Sequence, residues 1–191
     1  MTNEKSTDGY ANPKMVSSSA IKIAITGDGA VGKTSLCKSL TDGVIPSDYN
    51  ITVGTEIHSK KLNIANSTKP LNLLIWDFSG QERFHSVRNG LYKGTRGALV
   101  VFDVTSRGSF FDVSDWIREL KHNCSDAPFV LVGNKSDMND REVSKEEAEE
   151  LARNLGVPYL ETSALDGKNV GTAFEHITKL ALNRDKRFVA Y

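Results

Sequence analysis

Short runs of consecutive apolar residues alternate along the chain with stretches in which apolar positions recur every three or four residues. The first pattern belongs to strands covered on both faces and the second to helices covered on one. Residues 21–26 (Ile-Lys-Ile-Ala-Ile-Thr) read as a strand, and residues 32–40, with Leu36 and Leu40 one turn apart, as a short helix. Strands are expected near 56–64 and 71–76, paired as an antiparallel hairpin by the turn-forming residues 66–70. Residues 98–102, 129–132 and 158–160 supply three further strands, with helices near 110–123, 145–154 and 172–183 between and after them. Ser144 is placed to cap the helix near Lys145, and Glu146 and Glu147 follow in the first turn, where a carboxylate suits the helix dipole. No internal repeat is present. The alternation predicts an α/β fold with a six-stranded, doubly wound sheet, mostly parallel with one antiparallel edge strand, and helices on both faces.

Composition narrows this picture. With 191 residues the chain has the length of one ordinary domain. Its 24 basic and 24 acidic residues balance, so bulk charge favours neither nucleic acid nor an anionic membrane, and a charged ligand must be held locally. Two cysteines, Cys37 and Cys124, make neither a disulfide framework nor a zinc site and fit a reducing compartment. No apolar run reaches the roughly 20 residues of a membrane-spanning helix, and Met1-Thr2-Asn3-Glu4 opens no signal peptide. A cytoplasmic protein is expected, with a polar arm over 1–19, a folded unit over 20–184 and a short tail over 185–191.

Candidate chemistry gathers where strands end. Gly27-Asp28-Gly29-Ala30-Val31-Gly32-Lys33-Thr34 fits G-x-x-x-x-G-K-[ST] between the first strand and first helix. Such a loop wraps a pyrophosphate in backbone N–H groups at a helix N-terminus; Lys33 would bridge the outer phosphates and the Thr34 hydroxyl would ligate Mg²⁺. A second element, Asp77-Phe78-Ser79-Gly80, is D-x-x-G at the end of a strand expected to stop at Asp77. Asp77 would hold Mg²⁺ through water, the Gly80 amide would reach a γ-phosphate, and Gln81 would orient an attacking water. After the strand near 129–132 come Asn134-Lys135-Ser136-Asp137. The Asp137 carboxylate matches the N1–H and N2 amino donors of guanine and repels the N1 acceptor of adenine. Lys135 would lie over the purine face, Asn134 would tie this loop to the phosphate loop, and the stretch Glu161-Thr162-Ser163-Ala164-Leu165 would offer amides such as that of Ala164 to the guanine O6. The phosphate loop already points to nucleotide on its own, whereas D-x-x-G and N-K-x-D taken singly also read as polar turns; four elements in order at four strand ends do not.

Together these residues resemble the Ras superfamily of small GTPases over roughly 21–182, and Trp76-Asp77-x-x-Gly80-Gln81-Glu82-Arg83-Phe84 is similar to the Rab branch. The resemblance implies a P-loop GTPase fold binding GTP or GDP with Mg²⁺, acting as a nucleotide-dependent switch in vesicle trafficking or signalling. It implies a switch I over 45–55, from Ile45 to Thr55, and a switch II over 77–92, from Asp77 to Tyr92, both contacting effector proteins. Implied nucleotide contacts are Gly29, Ala30, Val31, Gly32, Lys33, Thr34, Ser35, Tyr49, Thr52, Gly80, Asn134, Lys135, Asp137, Ser163, Ala164 and Leu165; implied metal ligands are Thr34, Thr52 and Asp77; implied catalytic residues are Gln81, Lys33 and Thr52. Gly29 matches the family's crowded glycine, which leaves room for the glutamine. Intrinsic hydrolysis is then slow, and an arginine from a GTPase-activating protein adds about 10³–10⁵ in rate; a guanine nucleotide exchange factor is the other implied partner.

Three departures accompany the resemblance. The sequence ends Arg187-Phe188-Val189-Ala190-Tyr191 without a prenylation cysteine, so no self-encoded lipid anchor is expected. The aromatic triad of Rab surfaces reads Ile57, Trp76 and Leu91, and Ile45 stands where a ring usually meets the guanine. Monomeric switching is the leading expectation. A GTP-binding interaction module with little turnover is the alternative, opposed by the intact Gln81 and Thr52. An ATPase or nucleoside kinase is opposed by Asp137.

Overall fold

The computed structural model describes residues 20–43, 52–63 and 70–184. The arm over 1–19, the turn at 66–69, most of switch I with Ile45 and Tyr49, and the tail 185–191 lie outside the described residues. Six strands form one sheet: β1 (Ala20–Thr26), β2 (Thr55–Leu62), β3 (Leu71–Phe78), β4 (Gly97–Asp103), β5 (Phe129–Asn134) and β6 (Tyr159–Glu161), in the order β2-β3-β1-β4-β5-β6. Only β2 runs antiparallel, placing Glu56 opposite Asp77 and Ile57 opposite Trp76. Every residue of β4 and β5 is buried, as their unbroken apolar runs require when helices cover both faces.

Two apolar layers sandwich the sheet. On one side α1 (Lys33–Asp42) and α6 (Val170–Arg184) bury Leu36, Cys37, Phe174 and Ile177 against Ile23, Ile25, Leu73 and Ile75. On the other, α4 (Val113–Asn123) and α5 (Lys145–Leu155) bury Trp116, Ile117, Leu120 and Ala148 against Ala24, Val100 and Phe102. The α5 N-terminus is a full capping box: the Ser144 hydroxyl accepts from the Glu147 amide, and the Ser144 amide donates to the Glu147 carboxylate. Gly156 ends the helix in a left-handed conformation.

Three boundaries differ from the sequence expectation. The helix expected over 110–123 begins earlier, because Ser106 caps a separate α3 (Arg107–Phe111) that meets α4 at Asp112. A 3₁₀ turn (Glu82–Phe84) and a short α2 (His85–Leu91) follow β3 and were not anticipated; their spacing of Phe84, Val87 and Leu91 is helical, but Val87 remains more than half exposed, so the apolar face is weak. β3 also runs one residue past Asp77, to Phe78, which buries its ring edge-on against Tyr92.

Candidate functional site

The strand order reverses direction at β1, with β3 on one side and β4 on the other, and such a switch point opens a crevice at the carboxyl ends of the strands. The loop from β1 to α1 fills that position. Gly27, Ala30 and Gly32 adopt positive φ, a backbone that turns successive N–H groups inward as an anion nest. The α1 N-terminus has no side-chain cap, which leaves its first amides for a ligand. Gly32 also has to be a glycine because a Cβ would lie 2.3 Å from Asn134 Nδ2.

Lys33, the first residue of α1, is buried and donates to the carbonyls of Gly27 (2.7 Å) and Asp28 (2.5 Å). Burial lowers its pKa to about 8, against the opposing pull of Asp77 and Asp28. A cation held among carbonyls inside a nest is matched to an oxyanion. Thr34, one residue on, brings its hydroxyl within 2.8 Å of the Thr52 hydroxyl and donates to Asp77 Oδ2. Three hard oxygen donors from α1, the segment before β2 and β3 thus converge, the donor chemistry that Mg²⁺ takes, so the residues present fit that ion. Asp77 is fully buried; burial raises its carboxyl above the ordinary range, with Thr34 and Lys33 pulling the other way.

Gly80 packs directly on the phosphate loop: a Cβ there would meet Asp28 C at 2.2 Å and Gly29 N at 2.3 Å. The close approach is thus made by Gly80, whose missing Cβ lets the 79–81 segment lie against the phosphate loop. The Gln81 carbonyl is held by Arg88 Nη1 at 2.9 Å, and the same nitrogen donates to Ser79 O at 3.0 Å. Arg88 is buried and clamps Glu119 of α4 with two bonds of 2.8 Å, its guanidinium lying 4.6 Å from the Trp116 ring. Trp116 in turn donates to Asp28 Oδ1 at 2.6 Å. Sequence reading missed this chain of contacts, whose members lie 31 and 88 residues apart.

On the far side of the crevice, Asn134 is buried at the end of β5. Its Nδ2 donates to Val31 O (2.9 Å), and its Oδ1 accepts from the Thr162 hydroxyl (3.0 Å) and the Ala164 amide (3.2 Å). Val31, Asn134, Ser163 and Ala164 are thereby brought together, while Asp137 and Leu165 remain exposed at the rim. Ser163 is buried and accepts from the Asp166 amide, and Ser35 is half-buried in the first turn of α1. Lys135, at a φ of 65°, pairs with Asp103 Oδ2 at 2.5 Å, an acidic anchor that spacing alone did not reveal.

A Mg²⁺-type oxygen cluster, an anion nest and a loop with an exposed carboxylate at Asp137, all at the switch point of one sheet, define a nucleoside-phosphate-binding switch protein of the P-loop class. The family model described as "Ras family" matches residues 22–183. The chain is 39% identical over 180 residues to "Ras-related protein Rab-27A" of Rattus norvegicus, covering 88% of this chain and 81% of that protein. It is 40% identical over 164 residues to "Ras-related protein RABA5a" of Arabidopsis thaliana (85% and 73%), and 42% over 158 residues to "Ras-related protein RABA5e" of the same plant (82% and 72%). The chain belongs to the Ras family, as a Rab-like small GTPase. It binds GTP and GDP with Mg²⁺, hydrolyses GTP and acts as a nucleotide-dependent switch, with exchange factors, activating proteins and effectors as its classes of partner.

Proposed function

We propose that residues 20–184 form the working unit of a monomeric trafficking switch, and that the residues assembled at the β1–α1 crevice carry its chemistry. The observation that carries this reading is the convergence of Thr34, Thr52 and Asp77 oxygens beside the buried Lys33. The amides of Gly29, Ala30, Val31, Gly32, Lys33, Thr34 and Ser35 cradle the phosphates, and the Lys33 ammonium leaves its carbonyl partners for the outer phosphate oxygens. The Thr34 and Thr52 hydroxyls, with Asp77 behind them, would hold Mg²⁺, which would neutralise charge on the outer phosphates. Gln81, its backbone fixed by Arg88, orients the attacking water, and Thr52 and Gly80 offer amides to the γ-phosphate. Asp137 selects guanine from the rim, with Lys135 along the base and Ala164 near its O6.

Effectors bind across residues 77–92 and the adjoining end of 45–55, where Ile57 is more than half exposed opposite Trp76. Lys22 underpins this surface: its Nζ sits 3.6 Å from the Trp76 ring centroid and donates to the carbonyls of Leu91 and Lys93. A cytoplasmic setting accords with the free thiols of Cys37 and Cys124. The test is a pair of variants. Asp137→Ala should weaken GDP binding by at least tenfold, since each charge-assisted bond contributes roughly 1.5–3 kcal/mol. Gln81→Leu should keep GTP affinity while single-turnover phosphate release slows. Parental GDP affinity in the first, or parental hydrolysis in the second, refutes the corresponding assignment.

A further inference from the structure

On the α1-facing side of the β2–β3 ladder, a second group of metal-type ligands lies beside the first. Glu56 and His58 point to the same face of β2, two residues apart, and Asp77 is the cross-strand partner of Glu56. Ligand atoms of the three side chains all lie within 4.8 Å of one another. His58 is 9% exposed at its side chain and Asp77 is fully buried, and among the described residues neither His58 Nε2 nor Asp77 Oδ1 has a hydrogen-bond partner. Buried polar atoms are almost always paired, so two orphan atoms on residues of one ligand cluster need an explanation.

We propose that Glu56, His58 and Asp77 form a second divalent-metal site, selective for a borderline cation of the Zn²⁺ kind. Three observations favour an ion over a direct hydrogen bond. His58 Nε2 and Glu56 Oε1 stand 3.7 Å apart, beyond hydrogen-bond range but close to the roughly 3.4 Å that two ligands keep around a tetrahedral zinc with bonds of about 2.1 Å. The set joins one imidazole to two carboxylates, which suits Zn²⁺, whereas the all-oxygen cluster of Thr34, Thr52 and Asp77 suits Mg²⁺. The two oxygens of Asp77 also divide the work: Oδ2 accepts from Thr34, and Oδ1 is unpartnered. Glu56 is half exposed on the edge strand, giving an ion an entry path from solvent. Three protein ligands leave a fourth position that water would take. Because Asp77 bridges, an ion at this site fixes the carboxylate that stands behind the nucleotide's own metal.

The experiment measures Zn²⁺ binding by the full chain loaded with GDP, with Mg²⁺ in large excess, using equilibrium dialysis and metal analysis. Zn²⁺ that exchanges into the nucleotide site is common to parent and variants and cancels. The parent should hold one Zn²⁺ per chain more than His58→Ala, and Glu56→Gln should bind that ion at least tenfold more weakly. Loaded instead with Co²⁺, the parent should show the intense visible bands of low-coordinate, nitrogen-ligated cobalt, absent from His58→Ala. GDP content reports folding; if His58→Ala loses nucleotide, the Glu56→Gln comparison decides. Equal stoichiometry and affinity in parent and variants, or no ion beyond the one at the nucleotide, overturns the proposal and leaves the two orphan atoms to a bound water.

Discussion

Glu119→Ala tests whether the buried clamp on Arg88 holds the segment around Gln81. The Arg88 and Glu119 side chains are 4% and 7% exposed, joined by two bonds of 2.8 Å, and the remaining hydrogen bonds of Arg88 go to the Ser79 and Gln81 carbonyls. Removing the carboxylate strands a guanidinium whose Nε and Nη2 hydrogens lose their partners, and breaking a buried pair from one side costs about 3–5 kcal/mol. The cleft lined by Asp28, Gly80, His85, Arg88 and Glu119 admits water to that side, so the low end, about 3 kcal/mol, is expected. In urea, with GDP and Mg²⁺ held in fixed excess, that moves the unfolding midpoint down by roughly 1–2 M. The double variant Arg88→Met, Glu119→Leu removes both charges and should recover most of the stability. Hydrolysis should not recover, because the Gln81 carbonyl is still released. A loss below about 1 kcal/mol in Glu119→Ala, or parental hydrolysis in the double variant, refutes the reasoning.

Two further outcomes follow from the geometry. Gly80→Ala places a methyl within 2.2–2.5 Å of the Asp28 and Gly29 backbone, so the segment must retreat from the phosphate loop; GTP affinity should fall more than GDP affinity, read by competition with a fluorescent nucleotide, and equal losses would contradict a γ-phosphate role for Gly80. Glu147 is held down to about 2, chiefly by its bond from Arg107 and then by those from Ser144. A depressed carboxyl contributes stability that is complete above its unfolded value of 4.5 and is lost as pH falls toward about 2. Stability should decline over that window, and Glu147→Gln should flatten the decline; an unchanged slope would show that other carboxylates carry it.

Much of the fold was legible because its determinants are local. β4 and β5 announce themselves as unbroken apolar runs since both of their faces are covered, and Ser144 with Glu147 marks the start of α5 by chemistry that spans a single turn. The motif residues gather at one end of the sheet because each follows a parallel strand, so knowing the strands was enough to place them. What escaped depends on approach between distant segments. Nothing near Trp116 foretells Asp28, nothing near Arg88 foretells Glu119, and the acid beside Lys135 sits on the neighbouring strand. α2 escaped for another reason: seven residues with Val87 in solvent carry too little apolar periodicity to stand out from a loop. The close approach of Gly80 to the Asp28 and Gly29 backbone escaped as well, because it belongs to the packed conformation of the 79–81 segment.

Asn134 makes the crevice a single mechanical piece. One amide touches the phosphate loop at Val31, the guanine-side loop through Ala164, and Thr162 between them. A partner that moves the phosphate loop therefore also pulls on the side chain that holds the 162–164 segment. Motion at one rim of the crevice is carried to the other through that single amide.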